Sequence, residues 1–397
     1  MSASPTPELA DIFREYGPAY RQAHPMLPYH HHVMDDIETC RTPARGSVVE
    51  WCDHCQYTHT YYRSCRDRHC PKCQGLARAK WLQQRQAELL PTQYFHVVFT
   101  LPEPITAIAF YNREVLYNIL FHATAETLLT IASDTQRLAV ATGFFAVLHT
   151  WGQNLHFHPH LHCVVPAGGL SADHERWIPG NRKFLFPVKV LSALFRRLFL
   201  AALEKAYAAG KLHFFGDLAP LCDPAAFDRY LTPLKFSKWV VYAKAPFGGP
   251  QHVLQYLGRY THRVAISNRR ILATENGLVS FEWKDYRDGN QSKVMTLPAD
   301  DFIRRFLQHV VPSGFQRIRY YGFLANCHRQ RKLALCRQLL TTAASELLPQ
   351  SAVCHNFLAA LVKADLSLCP MCGKGTLNRV TLLPPFHRPV PLRQDSS

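Results

Sequence analysis

Imidazoles alternate with other side chains through LHFHPHLHCVV, residues 155–165. On a strand this alternation places His156, His158, His160 and His162 on one face, and Phe157, Leu161 and Cys163 on the other. Same-face neighbours stand about 6.6 Å apart at the backbone, so one adjacent pair can converge on a single ion. Pro159 cannot donate to a ladder, which predicts an interruption before His160 and favours His160 and His162 as the metal pair. The third ligand must come from a neighbouring strand. A hairpin turning about residues 153–156 brings His149 opposite this region, with Gln153 as the alternative. An H-x-H pair alone is more often ordinary core or surface histidine, and Cys163 reads as packing.

Thirteen cysteines suggest zinc rather than disulfides, because several fall in C-x-x-C pairs within a long basic chain. Cys52, Cys55, Cys70 and Cys73 form two knuckles matching the two-plus-two pattern of a tetrahedral structural site. Cys40, Cys65, His59 and His69 lie in the same segment and could supply a second zinc whose ligand set spacing leaves open. Cys369 and Cys372, in the turn CPMCG, form a further knuckle with two adjacent ligands; Cys327, His328, Cys336, Cys354 and His355 are its candidate partners.

Gly248, Gly249 and Pro250 lead into a helix of about ten residues ending near Thr261, which places Tyr256 and Tyr260 on one face about 6 Å apart. Arg259 and Arg263 stand beside them. Such a pair is ordinary packing unless something else accompanies it.

The elements that must position these groups follow from periodicity. YFHVVFTL, residues 94–101, has the density of a buried strand stopped by prolines, and residues 144–149, 155–165, 239–243, 264–272 and 278–283 read as further strands. Residues 7–16, 106–138 and 188–208 read as helical, and 300–340 as mostly helical. The expected fold is α+β: an antiparallel sheet flanked by helices, preceded by a small zinc module and followed by a helical C-terminal region. The expected organisation is residues 1–92 as zinc-binding domain, 93–299 as catalytic domain, 300–379 as helical region and 380–397 as a disordered tail.

Lys and Arg outnumber Asp and Glu by 45 to 29, a formal charge of +16 that suits a polyanion. No signal peptide is legible at the start, and the most apolar helical stretch, 191–203, is interrupted by Arg196 and Arg197, so the expectation is a cytoplasmic, nucleoid-associated protein without a membrane span. The absence of a G-x-x-x-x-G-K-[ST] loop argues against nucleotide hydrolysis as the energy source.

Phe99-Thr100-Leu101, then His160-Leu161-His162, then Tyr256 and Tyr260 follow the order of the three motifs of HUH nucleases. More closely, SCRDRHCPKCQ (64–74), HVVFTLP (96–102), HTWGQNLHFHPHLHC (149–163), YLGRYTHRVAISN (256–268) and RIRYYGFLAN (317–326) resemble the two-tyrosine rolling-circle transposases of bacterial insertion sequences, over roughly residues 10–340. The resemblance implies a zinc-binding domain before a nuclease domain, with His160 and His162 holding Mg²⁺ or Mn²⁺ and Tyr256 and Tyr260 as nucleophiles. His149 as third ligand rests on the expected neighbouring strand alone.

That chemistry is coherent: a metal polarises the scissile phosphate, and a phenol forms a 5′-phosphotyrosine that stores the bond energy while the second phenol permits another cleavage. Single-stranded DNA is the expected substrate, with Arg317, Arg319, Tyr320 and Tyr321 as candidate contacts. The rivals are an HUH plasmid initiator or relaxase, against which the zinc module weighs; a non-catalytic zinc-dependent DNA-binding protein; and a zinc hydrolase, for which no H-E-x-x-H motif exists.

Overall fold

The computed structural model describes residues 6–181, 186–244, 264–285, 288–344 and 368–383. In chain order its elements are α1 (Leu9–Ala23), α2 (Pro28–Thr39), β1 (Ser47–Cys52), β2 (Thr58–Tyr62), α3 (Gln74–Glu88), β3 (Tyr94–Thr100), α4 (Glu103–Tyr111), α5 (Arg113–Ser133), β4 (Gly143–Trp151), β5 (Phe157–Pro166), β6 (Gly168–Leu170), β7 (Trp177–Pro179), α6 (Val188–Ala208), α7 (Pro224–Phe236), β8 (Val241–Lys244), β9 (Ile271–Glu275), β10 (Leu278–Asp285), β11 (Gln291–Pro298), the helix Ala299–Leu307, β12 (Ile318–Gly322), the helix Arg329–Ala344 and β13 (Leu377–Leu383). The architecture is α+β, with antiparallel sheets flanked by helices.

Contacts group the chain into two units that interleave the segments taken above in contiguous order. One unit comprises residues 1–79, 266–310 and 352–397, the other residues 80–265 and 311–351. In the first, β1 pairs with both β2 and β13, while β9, β10 and β11 make a separate meander. The amphipathic helix α1 buries Leu9, Ile12 and Phe13, and Phe13 meets Phe306 edge-on at 5.4 Å.

The second unit is built on a five-stranded antiparallel sheet in the order β12-β4-β5-β3-β8. Strand alternation divides its side chains between two environments. Val97, Phe99, Phe144, Ala146, Leu148, Leu161, Cys163 and Val165 join Phe121, Phe195 and Phe199 in the main core. On the opposite face Tyr94, Phe145, Val147 and Val164 are covered by Trp81, Leu333, Cys336 and Leu340 from α3 and the helix Arg329–Ala344. Each large side chain so buried contributes about 1.5–3 kcal/mol. The remainder of that second face carries the histidines.

Several sequence expectations change. β5 runs through Pro159 without a break, because the β4–β5 register shifts between His149 and Trp151 and the proline falls at that irregularity, where a missing donor is tolerated. The helical stretch 106–138 is two helices meeting at Asn112. The segment expected as a strand from 264 becomes one only at Ile271. Within 300–340, residues 318–322 form edge strand β12. Gly322 ends that strand at φ +59, where a Cβ would collide with the Thr142 carbonyl. α2 carries too little apolar periodicity to be read in advance, and β13 extends to Leu383 within what was expected as tail. Among the described residues the helix with length and composition to span a membrane is α5, not 191–203, and most of it is buried in the core.

Candidate functional site

Three groups of metal-ligating side chains gather among the described residues: Cys40, Cys65, Cys70 and Cys73; Cys52, Cys55, Cys369 and Cys372; and His149, His160 and His162. The knuckles expected to share one zinc therefore lie in different clusters. The β1–β2 hairpin is the physical reason. Its register pairs Ser47 with Tyr62 at the open end, where Cys40 and Cys65 flank the strands, while Cys52 and Cys55 sit at the turn end. Five strand residues separate those ends by about 17 Å, far beyond the reach of one ion.

In the first cluster Cys40 caps α2, and Cys73 Sγ stands 3.5 Å from both Cys40 Sγ and Cys65 Sγ. In the second, Cys52 and Cys372 sulfurs are 3.8 Å apart and those of Cys55 and Cys369 3.6 Å. A tetrahedron of sulfurs at 2.3 Å from zinc has edges of about 3.8 Å, so both cages fit that ion and neither matches a disulfide. Bonds from Cys65 and Cys70 pull the Cys40 thiol far below its usual range, as expected of a group that cannot hold four separate protons. The backbone N–H groups of His54, Cys55 and Gly375 point at Cys52 and Cys372 sulfurs. Gly375 is obligatory, since a Cβ there would collide with Cys52 Sγ.

The C-terminal knuckle thus finds its partners in Cys52 and Cys55, not in the residues nearest in sequence. Cys327 and His328 are exposed, Cys336 is buried in the apolar layer, which pushes its thiol up to about 11, and Cys354 and His355 lie outside the described residues. His59 and His69 join neither cage; His69 instead bonds Asp67.

The histidine group is made by register. His149 pairs with His160 across β4–β5, Val147 with His162, and Val98 with His162 across β3–β5. The hairpin closes through the Gly152 N–H, which donates to the His156 carbonyl at 2.9 Å, so His156 itself is exposed before β5 and only His158, His160 and His162 share the strand face. Gln153 lies in that turn. Nitrogens of His149, His160 and His162 fall within 4.8 Å of one another.

Their tautomers are directed by second partners. His160 Nδ1–H donates to the His158 carbonyl at 2.6 Å, leaving Nε2 as the lone-pair nitrogen. His162 Nδ1 lies 2.8 Å from His96 Nε2, the two rings stacked at 5.0 Å. When His162 donates there, its Nε2 also becomes a ligand. His149 stacks on Trp151 at 4.7 Å. Burial first, and then His158, lower the half-buried His160 imidazole to about 4, so it is neutral at physiological pH. A set of three imidazole nitrogens suits a divalent cation such as Mn²⁺. His96 was not singled out from sequence, although its position in the β3 alternation, two before Val98 and four before Thr100, puts it on this face.

Tyr256, Tyr260, Arg259 and Arg263 lie outside the described residues. Arg317 is buried, and its carbonyl accepts from the Leu148 N–H at 2.8 Å. Arg319 donates to Asn118 at 2.6 Å and lies 4.2 Å over the Phe121 ring. Tyr321 stacks on Phe144, and burial lifts its hydroxyl to about 12. The Arg319 and Tyr321 side chains are therefore engaged within their own unit.

Residues 12–101 match the model of the transposase zinc-binding domain, and residues 143–332 match a family described as putative transposase. A putative transposase, y4qJ, of Sinorhizobium fredii is 58% identical over 375 residues, 94% of each chain. The transposase for insertion sequence element IS801 of Pseudomonas savastanoi pv. phaseolicola is 29% identical over 345 residues, 84% of this chain and 79% of the relative. No solved structure matches. Similarity along nearly the whole chain, with the zinc-binding and transposase segments in order, establishes that the chain belongs to the rolling-circle transposases of bacterial insertion sequences that carry an N-terminal zinc-binding domain.

Proposed function

We propose that this transposase cuts and rejoins single-stranded DNA at element ends through a 5′-phosphotyrosine intermediate, with His149, His160 and His162 holding a divalent cation and Tyr256 and Tyr260 as nucleophiles. The observation that supports this most is the convergence of three imidazoles from two paired strands on one sheet face. Mg²⁺ or Mn²⁺ bound there would supply Lewis acidity at a phosphate oxygen. The His158 carbonyl holds His160 in the tautomer that leaves Nε2 available, and a bond donated by His162 to His96 would do the same at His162. The phenol oxygen attacks phosphorus, the 3′ oxygen leaves, and the stored ester is later returned to a 3′ hydroxyl, so no external energy source is needed. Two phenols permit a second cleavage before the first is resolved. The basic charge of the chain and the arginines Arg259 and Arg263 beside the tyrosines support binding of the phosphate backbone.

The test is denaturing electrophoresis of a labelled single-stranded oligonucleotide carrying an element end, followed by peptide mapping of the adduct. Tyr256→Phe with Tyr260→Phe is expected to form no adduct, while each single variant loses transposition and at least one still nicks. His160→Ala with His162→Ala is expected to keep zinc and DNA affinity but lose cleavage. An adduct persisting in the double tyrosine variant would overturn the assignment.

A further inference from the structure

On the face of the five-stranded sheet that carries the histidines, the end of α3 and the start of the helix Arg329–Ala344 border an open cleft of about 500 Å³ lined by Gln84, Arg85, Glu88, Arg329, Gln330 and Arg337. Arg85 is 8% exposed, which is unusual for an arginine. Its Nη2 donates to Glu88 Oε1 at 2.9 Å, whereas its Nε and Nη1 are buried with no hydrogen-bond partner among the described residues. A buried guanidinium with unmet donors is retained against a desolvation cost unless something supplies acceptors.

The surroundings select what that something is. Arg329 Nε approaches the same Glu88 oxygen at 3.3 Å, and Arg337 donates to the Ala87 carbonyl at 2.5 Å. Two guanidiniums thus share the Glu88 carboxylate and the third, Arg337, bonds a backbone carbonyl beside it, so the three carry an excess of two positive charges over that one carboxylate. The first turn of the helix Arg329–Ala344 holds no acidic residue, so its N-terminal field adds to the same sign. Arg85 and Arg329 lie 5.1 and 4.9 Å from the Tyr320 ring centre, which fixes both side chains before any ligand arrives. A planar, preset set of donors with excess positive charge matches phosphate oxygens.

Position makes the phosphate one of DNA. Tyr320 pairs with Phe145, and Phe145 with Val164, two residues from His162 on the same face. Two strand spacings and one side-chain repeat put Tyr320 about 12 Å from His162 at the backbone. That is a span of a few nucleotides along one strand.

We propose that Arg85, Arg329 and Arg337 form a backbone-phosphate site that holds the DNA strand a few nucleotides from the histidine cluster. The proposal rests on DNA as the substrate, not on the phosphotyrosine chemistry. It is tested on the full chain carrying Tyr256→Phe and Tyr260→Phe, so that no strand is cut and binding is read separately from adduct formation. Affinity for labelled oligothymidylate is followed by anisotropy across a salt series, with duplex DNA and inorganic phosphate as parallel arms. Arg85→Gln and Arg337→Gln should each weaken binding of the single strand and flatten its log–log salt slope by about 0.7, the loss of one phosphate contact. Glu88→Gln should tighten binding, since it releases two guanidiniums. Inorganic phosphate should compete only weakly. Because Arg85 is buried, the half-exposed Arg337 decides: an unchanged salt slope in a folded Arg337→Gln chain overturns the site. Weaker binding on Glu88→Gln, or tight inorganic phosphate binding with DNA affinity unaffected by Arg337→Gln, overturns it as well.

Discussion

At His96 the side chain never needs to touch DNA to matter. Its Nε2 lies 2.8 Å from His162 Nδ1, and when His162 donates across this contact its own Nε2 is left to bind a metal. Removing such a partner of a metal-bound imidazole costs roughly 10–100-fold in metal affinity. His96→Phe keeps the ring's packing against His162 but deletes the acceptor, so the Mn²⁺ concentration for half-maximal strand cleavage should rise by that factor. His96→Gln, whose carbonyl can accept the same bond, should recover much of the loss. Titration of cleavage against Mn²⁺ checks this, with thermal melting to establish that both variants fold. Equal half-maximal concentrations in all three chains would remove the positioning role. The histidine face was partly legible: alternation put His160 and His162 on one face and the hairpin brought His149 opposite, but the interruption expected at Pro159 is absent, Gln153 had stayed open as the third ligand and His156 falls before β5. His96 was not, since nothing local says that β3 rather than another strand lies beside β5.

Among the elements, those with dense aromatic and β-branched runs were readable, and β3, β4 and β5 stand close to where their sequences put them. β12 was not, because a short edge strand reading Ile-Arg-Tyr-Tyr-Gly has no alternation strong enough to outweigh its helical surroundings. The hairpin β1–β2 had the larger consequence. Spacing groups cysteines by proximity in sequence, yet a hairpin separates its turn from its open end and so splits two neighbouring knuckles between two cages. This gives a pattern of non-additivity. Cys52→Ser and Cys369→Ser, though 317 positions apart by number (369 − 52), should each lower bound zinc from two ions per chain to one, and the double variant should still hold one. Cys52→Ser with Cys70→Ser should hold none. Elemental analysis of the purified, reduced chains measures it, and retention of one zinc by that last pair would restore the single-site reading.

Across the whole molecule, the second cage joins the two ends of the chain. Cys55 and Cys369 are 314 residues apart, and closing a flexible loop of that length costs about 5 kcal/mol by the logarithmic law. Structural zinc binding contributes about 10–16 kcal/mol, so the ion can hold β13 against β1 with a margin that the strand's own ladder need not supply. No spacing rule reaches that far, which is why the CPMCG turn was legible as a knuckle and its partners were not. Ending the chain at residue 366 should therefore do two separable things. Zinc should fall from two per chain to one, the survivor being the cage of Cys40, Cys65, Cys70 and Cys73. The unit that contains β1 should melt lower, because β1 becomes an edge and Cys52 and Cys55 lose their partners, while the unit formed by residues 80–265 and 311–351 keeps its own transition. Calorimetry with and without a zinc chelator resolves the two. A truncated chain that still carries two zinc ions, or one whose two transitions shift together, would show that the C-terminal knuckle does not close the first unit.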